Sequence, residues 1–145
     1  KVVYDLYCGT GTISQLASPR AKEVYGIEIV EEAVQSAIAN TKLNGIDNCH
    51  YLCGDVKEKL SELDVSPDVI IVDPPRAGLH DKMVRMLAEY GVPEILYISC
   101  NPKTMAMNLE QFRYLGYEPV KIRAYENFSF TSHSECVTLL QRTDR

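Results

Sequence analysis

Val2-Val3-Tyr4-Asp5-Leu6-Tyr7-Cys8-Gly9-Thr10-Gly11-Thr12 opens the chain with an apolar, β-branched run that breaks into glycine. The run has the length of a buried strand. Gly9 and Gly11 let the backbone turn sharply and approach a ligand where a side chain would collide. A helix over 12–18 completes a strand–turn–helix unit, and the same alternation recurs along the chain. Strands are expected over 2–6, 23–27, 49–52, 69–72 and 95–99. Helices are expected over 12–18, 31–44, 56–63, 81–90 and 103–115. In the second helix Ala33, Ala37 and Ile38 form the apolar stripe, and Asn44-Gly45 supplies a stop; Gly91 and Gly116 close the last two. Two further strands, 117–124 and 136–141, are joined by a loop with no helix between them. Five alternating units closed by a hairpin predict an α/β fold with a mostly parallel sheet and a late antiparallel strand.

The 145 residues suit one domain with a real core, and 46% hydrophobic against 24% charged residues is ordinary for a soluble chain. No apolar stretch is long enough to span a bilayer, and no signal peptide is visible. The chain opens inside an expected strand without an initiator Met, so it reads as a piece of a longer protein. Five cysteines without scaffold spacing fit a reducing cytosol. Cys49 and Cys53 are not a CxxC pair and no second pair follows, so strand packing is expected of them and no metal site. The net charge of −5 offers no electrostatic footprint for nucleic acid. Were the substrate RNA, much of the phosphate contact would lie elsewhere.

Acidic residues follow three strands in turn: Glu28, Asp55 and Asp73. Glu28 can accept hydrogen bonds from both hydroxyls of a ribose, and Asp55 from an adenine amino group. Each could instead be a helix N-terminal acid that favours the dipole. A dinucleotide fingerprint would want a third glycine where Ser14 stands. A nucleoside site without a pyrophosphate to cradle suits S-adenosylmethionine better than NAD. A second cluster sits at the ends of the fourth and fifth strands, in Asp73-Pro74-Pro75-Arg76 and Ser99-Cys100-Asn101-Pro102. Ligands of open α/β sheets gather beyond the strands' carboxyl ends, so this carboxylate and this thiol are expected at one cleft. Cys100 precedes a helix whose N-terminal dipole favours thiolate, and Asn101-Pro102 argues for a turn rather than a buried structural cysteine.

With these motifs and the late Ser132-His133-Ser134-Glu135, the chain resembles the RNA uracil-5 methyltransferase family, which makes 5-methyluridine in tRNA and 23S rRNA. The four motifs stand in the family's order and span residues 5 to 135. The resemblance implies a class I, Rossmann-like S-adenosylmethionine-dependent methyltransferase with a seven-stranded sheet, acting on an RNA substrate. Tyr7, Thr12, Glu28, Asp55 and Asp73 would line the methyl-donor site, Cys100 would be the nucleophile and Glu135 the base. Many relatives carry Asn where Thr12 stands. A Gln of the donor site, an RNA-binding module and, in some relatives, an iron–sulfur cluster lie upstream of this stretch. A cytoplasmic monomer without a membrane or protein partner is the corresponding expectation.

The chemistry of uracil accounts for one thiol and one base. C5 is too poor a nucleophile to take a methyl group until a thiolate adds to C6 and turns the ring into an enolate. The C5 proton must then leave so that the thiol can be eliminated. Read alone, Glu135 is a loop acid between the last two strands, beside His133 as an orienting neighbour. Arg76 could pair with Asp73 or touch substrate. Tyr125, Phe128 and Phe130 could stack on an unpaired base or pack in the core. Two competing readings remain at this level: an amino-group methyltransferase of the same fold, and a non-catalytic S-adenosylmethionine-binding module. The first commonly carries Asn-Pro-Pro-aromatic after strand four and needs no thiol. Trapping with 5-fluorouridine RNA tests the second.

Overall fold

A computed structural model describes residues 1–126 and 134–143. Its seven strands form one sheet in the order β3-β2-β1-β4-β5-β7-β6. The chain divides into two compact units, Lys1–Ile71 and Val72–Arg145.

In the first unit, β1 (Val2–Leu6) leads to α1 (Thr12–Ala17) and a short 3₁₀ turn. β2 (Glu23–Glu28), α2 (Glu31–Leu43), β3 (Cys49–Cys53) and α3 (Val56–Glu62) follow. β1 pairs in parallel with β2 from Val2↔Glu23 to Leu6↔Ile27, and β2 with β3 from Val24↔Cys49 to Glu28↔Cys53. Tyr4, Leu6, Val24 and Ile27 are fully buried, as near-continuous apolar runs require in a sheet covered on both faces. The buried stripe of α2 is Val34, Ala37 and Thr41; Ile38, expected inside, is exposed. Thr41 is tolerated there because its hydroxyl pairs with the Tyr51 hydroxyl at 2.7 Å. Tyr51 also explains the second glycine of the opening motif. Gly11 has φ +83°, and a Cβ there would lie 2.7 Å from the Tyr51 oxygen.

β4 (Val69–Val72) ends at the start of the second unit, which continues with α4 (Asp81–Tyr90), β5 (Glu94–Ser99) and α5 (Pro102–Tyr114). β6 (Tyr117–Glu126) and β7 (Ser134–Arg142) close it. β7 pairs antiparallel with both β5 and β6, which supplies the late antiparallel strand. Ile95, Tyr97 and Ser99 alternate inward along β5, on the face that also buries Thr138 and Leu140 of β7. Phe112 and Tyr117 meet edge to face at 5.9 Å, and the Tyr117 hydroxyl donates to the Val92 carbonyl at 2.6 Å. α5 starts one residue earlier than expected. Pro102 occupies its first position, where a missing N–H costs nothing, and the Asn101 side chain accepts from Lys103 N at 3.1 Å. The final hairpin is longer than its sequence pattern suggested. The ladder runs to Glu126↔Ser134, so Glu135 stands in β7 paired with Tyr125, not in a loop.

Candidate active site

In the first unit, the turn after β1 is built around two carboxylates. Asp5 is fully buried and accepts a 2.6 Å hydrogen bond from Ser14 Oγ. Ser14 therefore stands where a dinucleotide fingerprint has glycine because it ties α1 to the end of β1. Glu28 Oε1 accepts from Gly9 N at 3.0 Å and Oε2 from Val30 N at 2.9 Å. Both bonds fix the plane of the carboxylate and leave each oxygen a lone pair for an incoming hydroxyl. Gly9 has φ +55°, and a Cβ there would meet nothing within 4 Å, so the loop presents bare backbone to open space.

Tyr7 joins the same turn with φ +59°, an uncommon conformation for a bulky residue. Burial raises the pKa of its hydroxyl, and the charge of Asp55 raises it further, so Tyr7 and Asp55 are neighbours. Asp55 is exposed and caps α3, accepting from Glu58 N at 3.2 Å. Thr12 is exposed at the first position of α1. Ile29 and Val30, 67% and 51% exposed, follow Glu28 directly. Sequence reading passed them over, although an apolar pair just after a strand-end acid is a signal for a flat apolar ligand surface.

In the second unit, Ser99 shapes the turn that carries Cys100. Its buried hydroxyl donates to Asn101 O and accepts from Asn101 N, both at 2.9 Å, wrapping the backbone around itself. Cys100 between them is exposed. Ser99↔Cys136 is the last paired rung of β5 and β7, and Cys100 and Glu135 are the residues that adjoin it along the two chains. Pairing with Tyr125 on the other edge holds Glu135 in place. Asp73 belongs to the same group: burial raises its carboxyl pKa, and the Glu135 charge raises it again. Asp73, Cys100 and Glu135 thus gather at one end of this unit. The Arg76 carbonyl accepts from Asn101 Nδ2 at 3.1 Å. Phe128, Phe130 and His133 lie outside the described residues.

The raised Asp73 pKa carries a sign. A carboxyl whose folded pKa lies above its unfolded value of 3.8 contributes stability below that pH and loses it as pH rises through the folded value. Asp73→Asn should therefore raise the thermal midpoint at pH 7, and the gain should fade as the pH is lowered through the carboxylate range. Melting curves at pH 7 and pH 4 check this; an equal gain at both would refute the assignment.

Cys8 and Cys49 are less exposed than Cys100. Burial, Asp5 and Glu28 push the Cys8 thiol up to about 12, and burial raises that of Cys49, whose Sγ donates to Ser14 O at 3.5 Å. Cys53, expected to pack in its strand, is exposed at the end of β3. Charge is also uneven. The first unit holds six Lys and Arg against eleven Asp and Glu, the second nine of each. The whole acidic excess belongs to the first unit.

Strand order, the glycine turn after β1 and the acid at the end of β2 define a class I methyltransferase fold of the S-adenosylmethionine-dependent type. Residues 2–143 match the tRNA (uracil-5-)-methyltransferase family model, and the chain belongs to that family. An uncharacterized RNA methyltransferase of Clostridium acetobutylicum is 50% identical over 142 residues, covering 98% of this chain and 31% of that protein. The chain spans about a third of the length of the curated relatives it matches. The tRNA (uracil-54, C5)-methyltransferase of Pyrococcus abyssi, solved with S-adenosyl-L-homocysteine, superposes with a TM-score of 0.82 at 33% identity, over 95% of this chain and 33% of that one. The ribosomal protein L11 methylase of Lactobacillus delbrueckii shares the fold, with a TM-score of 0.75 at 15% identity over 99% of this chain and 70% of that one. No helix among the described residues is long and apolar enough to cross a membrane.

Proposed function

We propose that the chain is the catalytic part of an RNA methyltransferase that transfers a methyl group from S-adenosylmethionine to C5 of a uridine in tRNA or rRNA. The observation that supports this reading is the β5–β7 register, whose last rung, Ser99↔Cys136, is adjoined by Cys100 on one strand and Glu135 on the other. Methylation of an amino group would use neither residue.

The first unit suits the methyl donor. The oriented Glu28 carboxylate accepts from the ribose hydroxyls, Ile29 and Val30 offer an apolar surface to the adenine, and Asp55 accepts from its amino group. Tyr7 and Thr12 complete the set in this unit, and Asp73 of the second unit is the further donor-site residue that the family resemblance implies. S-adenosylmethionine, when bound, supplies an electrophilic methyl group on a sulfonium sulfur. The Cys100 thiolate adds to C6 of uracil and the electron pair of the C5–C6 double bond moves to C5 and O4; C5 would then take the methyl group as the donor's S–CH3 bond breaks, its electron pair staying on sulfur to leave S-adenosylhomocysteine. Glu135 removes the C5 proton, the double bond re-forms, and the Cys100 sulfur departs with its electron pair. The neutral charge of the second unit opposes an RNA backbone less than the −5 of the whole chain implies, so the uridine side of the reaction falls where repulsion is weakest.

The test is incubation of the full-length protein with transcribed tRNA and rRNA and a labelled methyl donor, then nucleoside mass analysis. 5-Methyluridine is expected; methyl groups only on amino nitrogens would overturn the reading. For the donor site, Glu28→Ala should weaken S-adenosylhomocysteine binding by about 1.5–3 kcal/mol, the value of hydrogen bonds to a charged group. Calorimetry showing unchanged affinity would remove Glu28 from the site.

A further inference from the structure

Helix α5 carries four polar residues, Asn101, Thr104, Asn108 and Gln111, at the 3-4-3 spacing that lines one helix face. Such a stripe usually faces solvent. Here Asn108 is fully buried, and Asn101, Thr104 and Asn108 grip the segment that follows β4, while Gln111 reaches Asp81 at the start of α4. Asn101 Nδ2 and Thr104 Oγ1 both donate to the Arg76 carbonyl at 3.1 Å. Asn108 pairs with the backbone of Leu79 as a neighbouring strand would. Its Nδ2 donates to Leu79 O at 3.0 Å, and its Oδ1 accepts from Leu79 N at 2.9 Å. The same oxygen accepts from the Tyr97 hydroxyl of β5 at 2.5 Å, and Nδ2 gives its second proton to Gln111 Oε1 at 2.8 Å. Every donor and acceptor position of this amide is used. Gln111 in turn donates to Asp81.

Gly78 makes the close approach sterically feasible. Its φ is +80°, and a Cβ there would lie 2.8 Å from Asn108 Oδ1 and 3.0 Å from Thr104 Cβ. The gripped segment begins at Asp73, and the stripe begins next to Cys100. An irregular stretch of backbone is therefore tied at two points, Arg76 and Leu79, to the helix that carries the nucleophile turn.

We propose that Thr104 and Asn108 are positioning residues, which hold the segment 73–79 in fixed register with the Cys100 turn and so set how a uracil is presented to the sulfur. The proposal rests on the uracil-5 reading. Thr104 gives the clean test, because Thr104→Val keeps the shape and loses the hydroxyl, whereas Thr104→Ser keeps the hydroxyl. In the full-length protein, Thr104→Val should lower kcat about tenfold with the KM for S-adenosylmethionine and the thermal midpoint unchanged, and Thr104→Ser should restore kcat. Asn108→Leu should cost about a hundredfold, the scale of a 1 Å misplacement at a reacting centre; if it fails to fold, the Thr104 pair decides. Wild-type kcat in Thr104→Val, or equal impairment in Thr104→Ser, would overturn the proposal. A wild-type protein that makes no 5-methyluridine would overturn the uracil reading instead. The rate of Cys100 alkylation by iodoacetamide, followed by peptide mass, then decides positioning: altered in the Val variant and restored in the Ser variant supports it, and unaltered refutes it.

Discussion

Cys100→Ala in the full-length protein should produce no 5-methyluridine and no covalent complex with RNA, including RNA that carries 5-fluorouridine. Loss of a covalent nucleophile costs on the order of 10⁴-fold or more in kcat, because no other group lowers the same barrier. The neighbourhood contains no substitute thiol. Cys8 and Cys49 are held protonated by burial, and Cys136, opposite Ser99, occupies the preceding rung of the ladder. Cys53 is exposed like Cys100 but stands at the end of β3 in the other unit, so Cys53→Ala should keep wild-type activity and serves as the control. Binding of S-adenosylhomocysteine should survive Cys100→Ala, since the donor residues proposed above do not include the sulfur. Product at even a tenth of the wild-type rate would mean that methyl transfer to this substrate proceeds without addition to C6.

The strands and helices were legible because each is a local pattern. The runs at 2–6 and 69–72 are short, apolar and bounded by turn residues, and they appear as β1 and β4 with those limits. Pairing is not local. Nothing within residues 117–142 states that the last strand inserts between β5 and β6, and that insertion is what sets Cys136, the neighbour of Glu135, opposite Ser99, the neighbour of Cys100. The same blindness put Glu135 in a loop. Its membership of β7 depends on a ladder with Tyr125, ten residues earlier in the chain.

Polar residues were the other source of error. Thr41 and Asn108 were not counted as core, yet both are buried, because Tyr51 satisfies one and Leu79, Tyr97 and Gln111 satisfy the other. A hydrophobic count cannot see a partner supplied by another element. Ser14 shows the reverse case. As a missing glycine it argued against a pyrophosphate loop, and the structure adds its reason in the bond to Asp5. The candidate donor residues were recognisable because each is an acid or aromatic at a strand end. The side chains that orient them were not, since their partners are backbone amides such as Gly9 N and Val30 N.

Glu135→Gln should separate the two halves of the reaction. Gln keeps the length and hydrogen-bonding reach of Glu but has no basic oxygen at neutral pH. Addition of Cys100 to C6 and methyl transfer to C5 both precede the step that needs the base, so both should proceed. The C5 proton then has no acceptor, the double bond cannot re-form, and the sulfur cannot leave. The expected observable is a protein–RNA adduct formed with ordinary uridine, dependent on the methyl donor, carrying the methyl group and stable in denaturing gels. Release of free 5-methyluridine RNA should fall by about 10²–10⁴-fold, the range for loss of a general base. A second consequence follows from the structure. The Glu135 charge helps to raise the Asp73 pKa, so Glu135→Gln should lower the pH at which Asp73 protonates, measurable by NMR titration of its carboxyl. If the Gln variant released product at the wild-type rate, Glu135 would not be the base. An adduct that formed but lacked the methyl group would place Glu135 before methyl transfer, and the order of steps above would be wrong.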